Sequence, residues 1–240
     1  YASNWMRKHY RPERMVVFCQ GNIRPERFFR LAEKEFGHLK STLIPTVTRQ
    51  SPDGQPTDSY AATYTRHTHQ VHAMLGGKAY PLGHERQLAM FLLNNILGGG
   101  SLNSRLNLSL REKRGLVYTV ESTYTPLSDT GYWCVYWACE KEHFQQCMYL
   151  VEQELYKLRT NPLSQTGLKK ALLQLRGQMA ISAQNQENSA LSMAKSMLYY
   201  GRVPHWTETF KKIEQTTTLQ LQEVANELYN PLYNYILTYK

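Results

Sequence analysis

A triple glycine at residues 98–100 limits, more than any other feature, how this chain of 240 residues can fold. It follows the apolar run QLAMFLLNNIL and precedes SLNSRLNLSLREKRG, in which leucines recur at helical spacing; VYTVESTY then alternates as in a strand. Glycines end a helix, and Ser101 directly after them is a preferred first residue for the next one. The segment therefore predicts a helix over 84–97, a tight turn, a helix from 102 to about 113, and a strand over 116–125.

The patterns on either side of this segment predict an α+β domain. Alternating or continuous apolar residues predict further strands within 60–79, over 132–139 and over 233–239. Helical periodicity predicts helices over 141–160, over 164–200 with a break, over 204–213 and over 219–229. Because strands precede a run of helices and a last strand follows them, we expect an antiparallel-rich sheet packed against a layer of helices.

The chain divides at a stretch that is rich in Pro, Ser and Thr. Residues 15–23 are apolar and β-branched, as in a buried strand, and residues 24–36 continue as an amphipathic helix that Gly37 ends. Residues 41–59 have almost no periodic apolar pattern and contain Pro45, Pro52 and Pro56. We therefore predict a strand and helix from a first domain over 1–40, a linker over 41–59 and a C-terminal domain over 60–240.

The composition argues against a nucleic-acid-binding or membrane-spanning protein. The net charge is +9, but the basic residues near the N-terminus alternate with apolar ones at helical spacing, which is typical of a solvated helix face. No zinc-finger, RNP or helix-turn-helix signature accompanies them, and no apolar run reaches the roughly 20 residues that cross a bilayer. The 4 cysteines lack CxxC spacing. We interpret them as free thiols, which favours the cytoplasm and leaves the periplasm open.

The histidines do not form a convincing metal site. His67, His69 and His72 are the only cluster, and strand alternation puts the first two on one face and His72 on the other. Three ligands then fail to converge, so solvent-facing or hydrogen-bonded histidines are the simpler interpretation. The motifs H-x-x-E-H, H-E-x-x-H and G-x-S-x-G are absent from the sequence, as are Walker-type loops. We expect this chain alone to bind no metal ion and to cleave no peptide.

Arg111 and Tyr118 are the candidate binding residues. Arg111 lies in the last turn of the predicted helix and Tyr118 near the start of the next strand, so the turn between them can direct both side chains to one side. Structural explanations compete, because an Arg near a helix C-terminus complements the helix dipole and a strand Tyr is commonly packed. The glycines could form a phosphate cradle, but no phosphate-binding spacing follows them, and a flexible turn is simpler.

Two blocks of this sequence resemble one family of metallopeptidases. LLNNILGGGSLNSRLNLSLREKRGLVYTVES resembles the second-domain signature of the inverted-zincin (H-x-x-E-H) peptidases, which include pitrilysin, insulin-degrading enzyme and mitochondrial processing peptidase. MVVFCQGNIRPERFFRLAEKEFGHL resembles the last strand and helix before that family's interdomain linker. The resemblance implies a processing-peptidase-like second domain. Since H-x-x-E-H is absent, it implies the carboxy-terminal, non-zinc part of such a protein.

The resemblance also implies roles for individual residues. In that family a second-type domain supplies an Arg and a Tyr, seven positions apart, that hydrogen-bond the substrate backbone; Arg111 and Tyr118 match them. Gly98, Gly99 and Gly100 match a glycine turn that is longer in processing peptidases and touches substrate there. The implied partners are a zinc-bearing domain or subunit and an unfolded peptide, with zinc in the complete enzyme and a homodimer as a further option. The alternative is a structural or assembly role without proteolysis.

Overall fold

The computed structural model describes residues 1–40, 59–65 and 68–240, and the chain separates into two compact units. The first unit comprises Tyr1–Thr48 with Arg176–Phe210, and the second comprises Arg49–Leu175 with Lys211–Lys240. The predicted linker falls, except for its last residue, outside the described residues. The division into 1–40, 41–59 and 60–240 therefore stays a prediction.

Helices and strands account for most of the described chain. The α-helices are α1 (Ala2–His9), α2 (Pro25–Phe36), α3 (Gln87–Gly98), α4 (Phe144–Thr160), α5 (Gln165–Gln184), α6 (Gln186–Tyr200), α7 (Trp206–Ile213) and α8 (Thr218–Leu228). The strands are β1 (Tyr60–Tyr64), β2 (Val71–Ala79), β3 (Val117–Pro126), β4 (Gly131–Cys139) and β5 (Tyr235–Tyr239). The α+β class and most of the predicted elements are thus confirmed.

The second unit contains one five-stranded sheet with the order β1-β5-β2-β4-β3. The pairs β5-β2, β2-β4 and β4-β3 are antiparallel, while β1 runs parallel to β5. In register, Gly76 of β2 lies between Tyr235 of β5 and Cys134 of β4. A Cβ atom at Gly76 would collide with the Trp133 carbonyl oxygen, so this close approach of β2 to β4 requires glycine.

One face of this sheet carries the core. Trp133, Val135 and Trp137 alternate along β4 and are at most 1% exposed, as strand periodicity requires for a face covered by helices. Helix α3 packs on β3, and α8 packs on β2 and on α3 and α4. The Trp133 indole N–H donates to the Leu228 carbonyl at 3.1 Å, which fixes the end of α8 on the sheet.

The predicted strand over residues 15–23 is wrong. Met15 has extended backbone angles, but the segment carries no strand and bends at Gly21 and Asn22. A strand needs a neighbour for its hydrogen bonds, and no other strand of the described residues lies beside it. The helix that follows is confirmed, since α2 begins at Pro25 and ends before Gly37.

Candidate functional site

The helical segment after the triple glycine is a π-helix, not the expected α-helix. One short helical stretch begins at Arg105, three residues later than predicted, and Asn107–Glu112 form the π-helix. The Lys113 N–H donates to the Leu108 carbonyl at 3.2 Å, five residues back, as a π turn requires. Leu106 and Leu110 are fully buried and anchor the segment, and Arg111 follows them with 39% of its side chain exposed.

Strand β3 begins with a β-bulge. Val117 lies opposite Cys139 and Thr119 lies opposite Ala138, so Tyr118 between them has no partner residue on β4. A bulged residue leaves the regular alternation of a strand, and bulges beside active sites redirect side chains in this way. Tyr118, which is 82% exposed, and Thr119 are accordingly both exposed between the buried Val117 and Val120, where a regular strand would bury one of them.

These two irregular elements bring the predicted site residues together. The Arg111 guanidinium carbon lies 5.8 Å from the centre of the Tyr118 ring, within the range of a cation–π contact. Both side chains line a groove of about 420 Å³ with Gly98, Gly99 and Gly100. The rest of its wall is β3 from Thr119 to Thr123, with Ser101, Leu102 and Asn107. All five residues that the sequence singled out therefore lie at one groove.

The groove presents hydrogen-bond donors to solvent. Arg111 forms an ion pair with Glu112 at 3.8 Å, a long and exposed contact that leaves most of the guanidinium free to donate. Within the described residues the Tyr118 hydroxyl makes no hydrogen bond. A guanidinium and a phenol side by side can hold a carbonyl oxygen, including one on which negative charge develops.

Gly98 holds the end of α3 close to β3. A Cβ atom at Gly98 would lie 2.7 Å from both the backbone nitrogen and the Cβ of Ser122, so only glycine fits. Beside it, the Asn94 amide donates to the Ser122 carbonyl at 3.0 Å, and the Ser122 hydroxyl donates to Asn94 Oδ1 at 2.6 Å. The glycine turn thus begins from a buried, hydrogen-bonded joint.

Polar side chains fix the turn after the glycines. Gln174 of α5 donates to the Ser101 hydroxyl at 2.6 Å, and Asn107 donates to the Ser104 hydroxyl at 2.9 Å. Ser101 therefore does not cap the helix as the sequence suggested. Because residues 101–104 form a turn, closed by the Ser104 N–H donating to the Ser101 carbonyl at 3.1 Å, the helix begins only after them.

A partly buried ion pair anchors the start of the helical segment to α4. Arg105 Nη1 lies 3.8 Å from Glu154 Oε2, and Lys157 Nζ lies 2.8 Å from Glu154 Oε1. Burial lowers the pKa of Arg105, and the Glu154 carboxylate opposes that shift. The Glu154 side chain is 10% exposed, so the pair is shielded from solvent more than a surface pair is.

In the part of the chain that the structure describes, the metal-binding side chains do not assemble into a cluster. Across residues 1–40, 59–65 and 68–240, no three His, Cys, Asp or Glu side chains are placed to hold a metal ion. His72 Nδ1 is 2.8 Å from the Tyr136 hydroxyl and His69 is exposed, whereas His67 lies outside the described residues. In the same part of the chain, none of the helices has the length and apolar character to cross a membrane.

Comparison with known proteins decides the family. Residues 2–175 match the model of the peptidase M16 inactive domain. The chain belongs to the peptidase M16 inactive-domain family. The metallopeptidase resemblance read from its sequence is thereby confirmed.

Relatives of this M16 domain carry zinc-protease names. An uncharacterized zinc protease of Mycobacterium tuberculosis is 30% identical over 227 residues, which is 94% of this chain and 52% of that protein. The uncharacterized zinc protease YmxG of Bacillus subtilis is 27% identical over 229 residues, 95% of this chain and 54% of that protein. This chain thus spans about half the length of the relatives it matches.

Solved structures share the fold of this M16 domain. A peptidase M16 inactive domain from Pseudomonas fluorescens superimposes with a TM-score of 0.77 at 21% identity, covering 91% of this chain and 52% of that one. A protease from Helicobacter pylori gives a TM-score of 0.76 at 20% identity, covering 92% and 53%. At these identities the likeness supports the fold alone.

The sequence analysis did not predict the residues that position Arg111 and Tyr118. Two polar residues, Asn94 and Asn107, lie directly beside leucines in helical patterns and are buried, and a buried polar residue signals a hydrogen-bonded joint. The π-helix and the β-bulge have no comparable signal in the amino-acid sequence, because each depends on how neighbouring elements pack.

Proposed function

We propose that this chain is the substrate-binding, non-zinc domain of a zinc-dependent peptidase. Arg111 and Tyr118 hold the backbone of an unfolded peptide at an active site that another domain or subunit completes with zinc. The observation that carries the proposal is the joint presence of both side chains and the glycine turn at one groove. The zinc-protease names of relatives about twice as long support it.

The chemistry of the pair suits this role. Zinc held by another domain or subunit would activate a water for attack on a peptide carbonyl, and Arg111 and Tyr118 would donate to the oxygen on which negative charge then develops. Donors that are already in place stabilise that charge without having to reorient. The buried leucines beside Arg111 and the bulge at Tyr118 fix the backbone of both residues, while their heads stay exposed. Hydrogen bonds to the backbone impose no substrate sequence.

The test uses the complete protein that contains this chain. We expect Arg111→Ala and Tyr118→Phe each to lower kcat for an unfolded peptide about 100-fold, because one lost donor of this kind removes about 3 kcal/mol of transition-state stabilisation. The melting temperature should hardly change, since both side chains are substantially exposed. Steady-state kinetics and calorimetry measure the two effects.

Matched variants control for surface changes. Lys113→Ala removes a neighbouring charge, and Tyr149→Phe removes the hydroxyl of a tyrosine that is 60% exposed on α4. Both should cleave as the unaltered protein does. A normal kcat in both Arg111→Ala and Tyr118→Phe would contradict the proposal. A complete protein that binds no zinc and cleaves no unfolded peptide would favour the structural or assembly role instead.

A further inference from the structure

The sheet face opposite the helices is open and rich in tyrosine. Along β4, Tyr132, Cys134 and Tyr136 alternate with the buried Trp133, Val135 and Trp137, so they point away from the core. Residues that lie opposite these three in the neighbouring strands β2, β5 and β1 point to the same face of the sheet. Its tyrosines, which define the tyrosine face, are Tyr60, Tyr64, Tyr132, Tyr136, Tyr235 and Tyr239.

A concavity of about 680 Å³ opens on the tyrosine face. Gly76 forms part of its floor, and Met74, Tyr132, Tyr235 and Leu237 stand around it. Met74 is 40% exposed and Tyr132 is 47% exposed, so these apolar groups face solvent. Sites for small ligands or for single large side chains have volumes and apolar walls of this kind. An exposed apolar surface around a concavity marks a binding surface.

The concavity adjoins the Arg111–Tyr118 groove. Thr123 lines the groove and Cys134 lines the concavity. The two residues lie opposite each other on β3 and β4, and the Thr123 hydroxyl oxygen is 3.1 Å from the Cys134 sulfur. A chain lying in the groove along β3 therefore reaches the concavity by passing over this one contact.

Strand geometry gives the length of that path. Tyr118 and Thr123 are five residues apart, which is roughly 17 Å along β3. The concavity centres near β2, two strands from β3, which adds about 10 Å across the sheet. The direct path is about 20 Å, which an extended peptide covers with about six residues.

We propose that the concavity on the tyrosine face is a second binding site for the same peptide. It takes an aromatic or large apolar side chain about six residues from the carbonyl that Arg111 and Tyr118 hold. This inference rests on the proposed function, and its continuity with the groove selects a peptide as the occupant. The groove then binds any backbone, whereas the concavity selects peptides by side chain.

Peptide binding to the purified 240-residue chain tests the inference. One fluorescein-labelled, unstructured peptide of about twelve residues carries a single Phe near one end, and a second has Ala in its place. A third, of about four residues with Phe, is too short to reach both sites. We expect the long Phe peptide to bind about tenfold more tightly than the Ala peptide, from burial of one aromatic ring.

Two methionine variants locate the effect. Met74→Asp puts a charge into the concavity and should abolish the preference for Phe. Met197→Asp makes the same change at a methionine of α6 that is 46% exposed and should leave the preference intact. Tyr132→Ser, at a second position of the wall, should repeat the Met74→Asp result, and circular dichroism checks that each variant is folded.

The outcomes separate this inference from the proposed function. Arg111→Ala should weaken binding of both long peptides equally. If it does so but Met74→Asp leaves the Phe preference unchanged, the inference is overturned and the proposed function stands. If Met74→Asp abolishes the preference but Arg111→Ala has no effect, the proposed function loses its support and the shared-peptide inference falls with it. If none of the peptides shows saturable binding, the inference is overturned. It is also overturned if light scattering shows a dimer that Met74→Asp dissociates, because the tyrosine face is then a contact between two copies of this chain.

Discussion

Helices α2 and α3 both have 12 residues, yet they bury their side chains to opposite extents. Seven residues of α3 are buried, whereas none of α2 is. Phe29, Leu31 and Phe36 of α2 are 67%, 46% and 41% exposed. Both helices have clear sequence signals, but α3 has no charged residue whereas six of the twelve residues of α2 are charged. Helix α3 lies against a sheet of its own unit, and the described residues offer α2 no comparable surface.

The comparison separates forming a helix from stabilising a fold. Pro25 at the first helical position and Gly37 after the last are sufficient to set the limits of α2. Burial of apolar surface contributes most of the stability of a domain, and among the described residues it is concentrated in the second unit. The second unit should therefore determine the global stability of the chain.

The largest expected effect comes from a matched pair of leucines. Leu97→Ala, at a fully buried position of α3, should lower the free energy of unfolding by about 2–5 kcal/mol. Leu31→Ala, at an exposed position of α2, should lower it by about 0.5 kcal/mol or less. Urea denaturation followed by circular dichroism measures both. Equal losses would mean that α2 is buried in solution and would break the comparison.

An intermediate effect is expected inside the glycine turn. Gly98→Ala forces a Cβ against Ser122 and should cost about 1–3 kcal/mol. A Cβ at Gly100 meets nothing within 4 Å, and its φ is not in the left-handed region, so Gly100→Ala should be neutral or stabilise by about 0.4–1 kcal/mol. Thermal melting of the two variants sharpens the comparison, because it tests whether the tight packing of the second unit extends to the site.

The smallest effect is expected from removing the N-terminal segment. A chain truncated to residues 59–240 should keep the cooperative transition of the second unit, with a melting temperature close to that of the full chain. It should associate less, since the exposed apolar side chains of α1 and α2 are gone. Light scattering and calorimetry compare the two chains. Failure of the truncated chain to fold would place the domain boundary elsewhere.

The sequence predicted the elements well because their signals are local. Apolar alternation along β4 and helical periodicity in α3 each reflect one face packed on the core, so their limits agree with the structure to within a few residues. The strand over residues 15–23 failed because a strand depends on a partner, which its own residues do not specify. The parallel pairing of β1 with β5 joins the two ends of the second unit and has no local signal.

The candidate site was found by resemblance and not by geometry. Spacing alone left dipole complementation by Arg111 and packing of Tyr118 as sufficient explanations. Neither the π-helix nor the β-bulge has a signal in the residue types, because each depends on how neighbouring elements pack. The structure shows only that Leu106, Leu110 and Val117 beside them are buried. The sequence therefore predicted which two residues belong to the candidate site but not the directions in which their side chains point.

The β-bulge holds one extra residue, and each π turn spans one residue more than an α turn, which affects how the interval of seven positions should be understood. One added residue turns every later side chain of a helix by about 100° and moves every later side chain of a strand to the other face. A relative that keeps the interval of seven but has a regular helix or strand would aim its Arg and Tyr in different directions. The seven-residue interval between the Arg and the Tyr gives their separation in the sequence and not the angle between their side chains. Searches for this site by spacing alone will therefore retrieve chains that cannot form it. Deleting one residue from either segment keeps both Arg111 and Tyr118 in the sequence but changes the direction of their side chains, and so tests whether that direction matters.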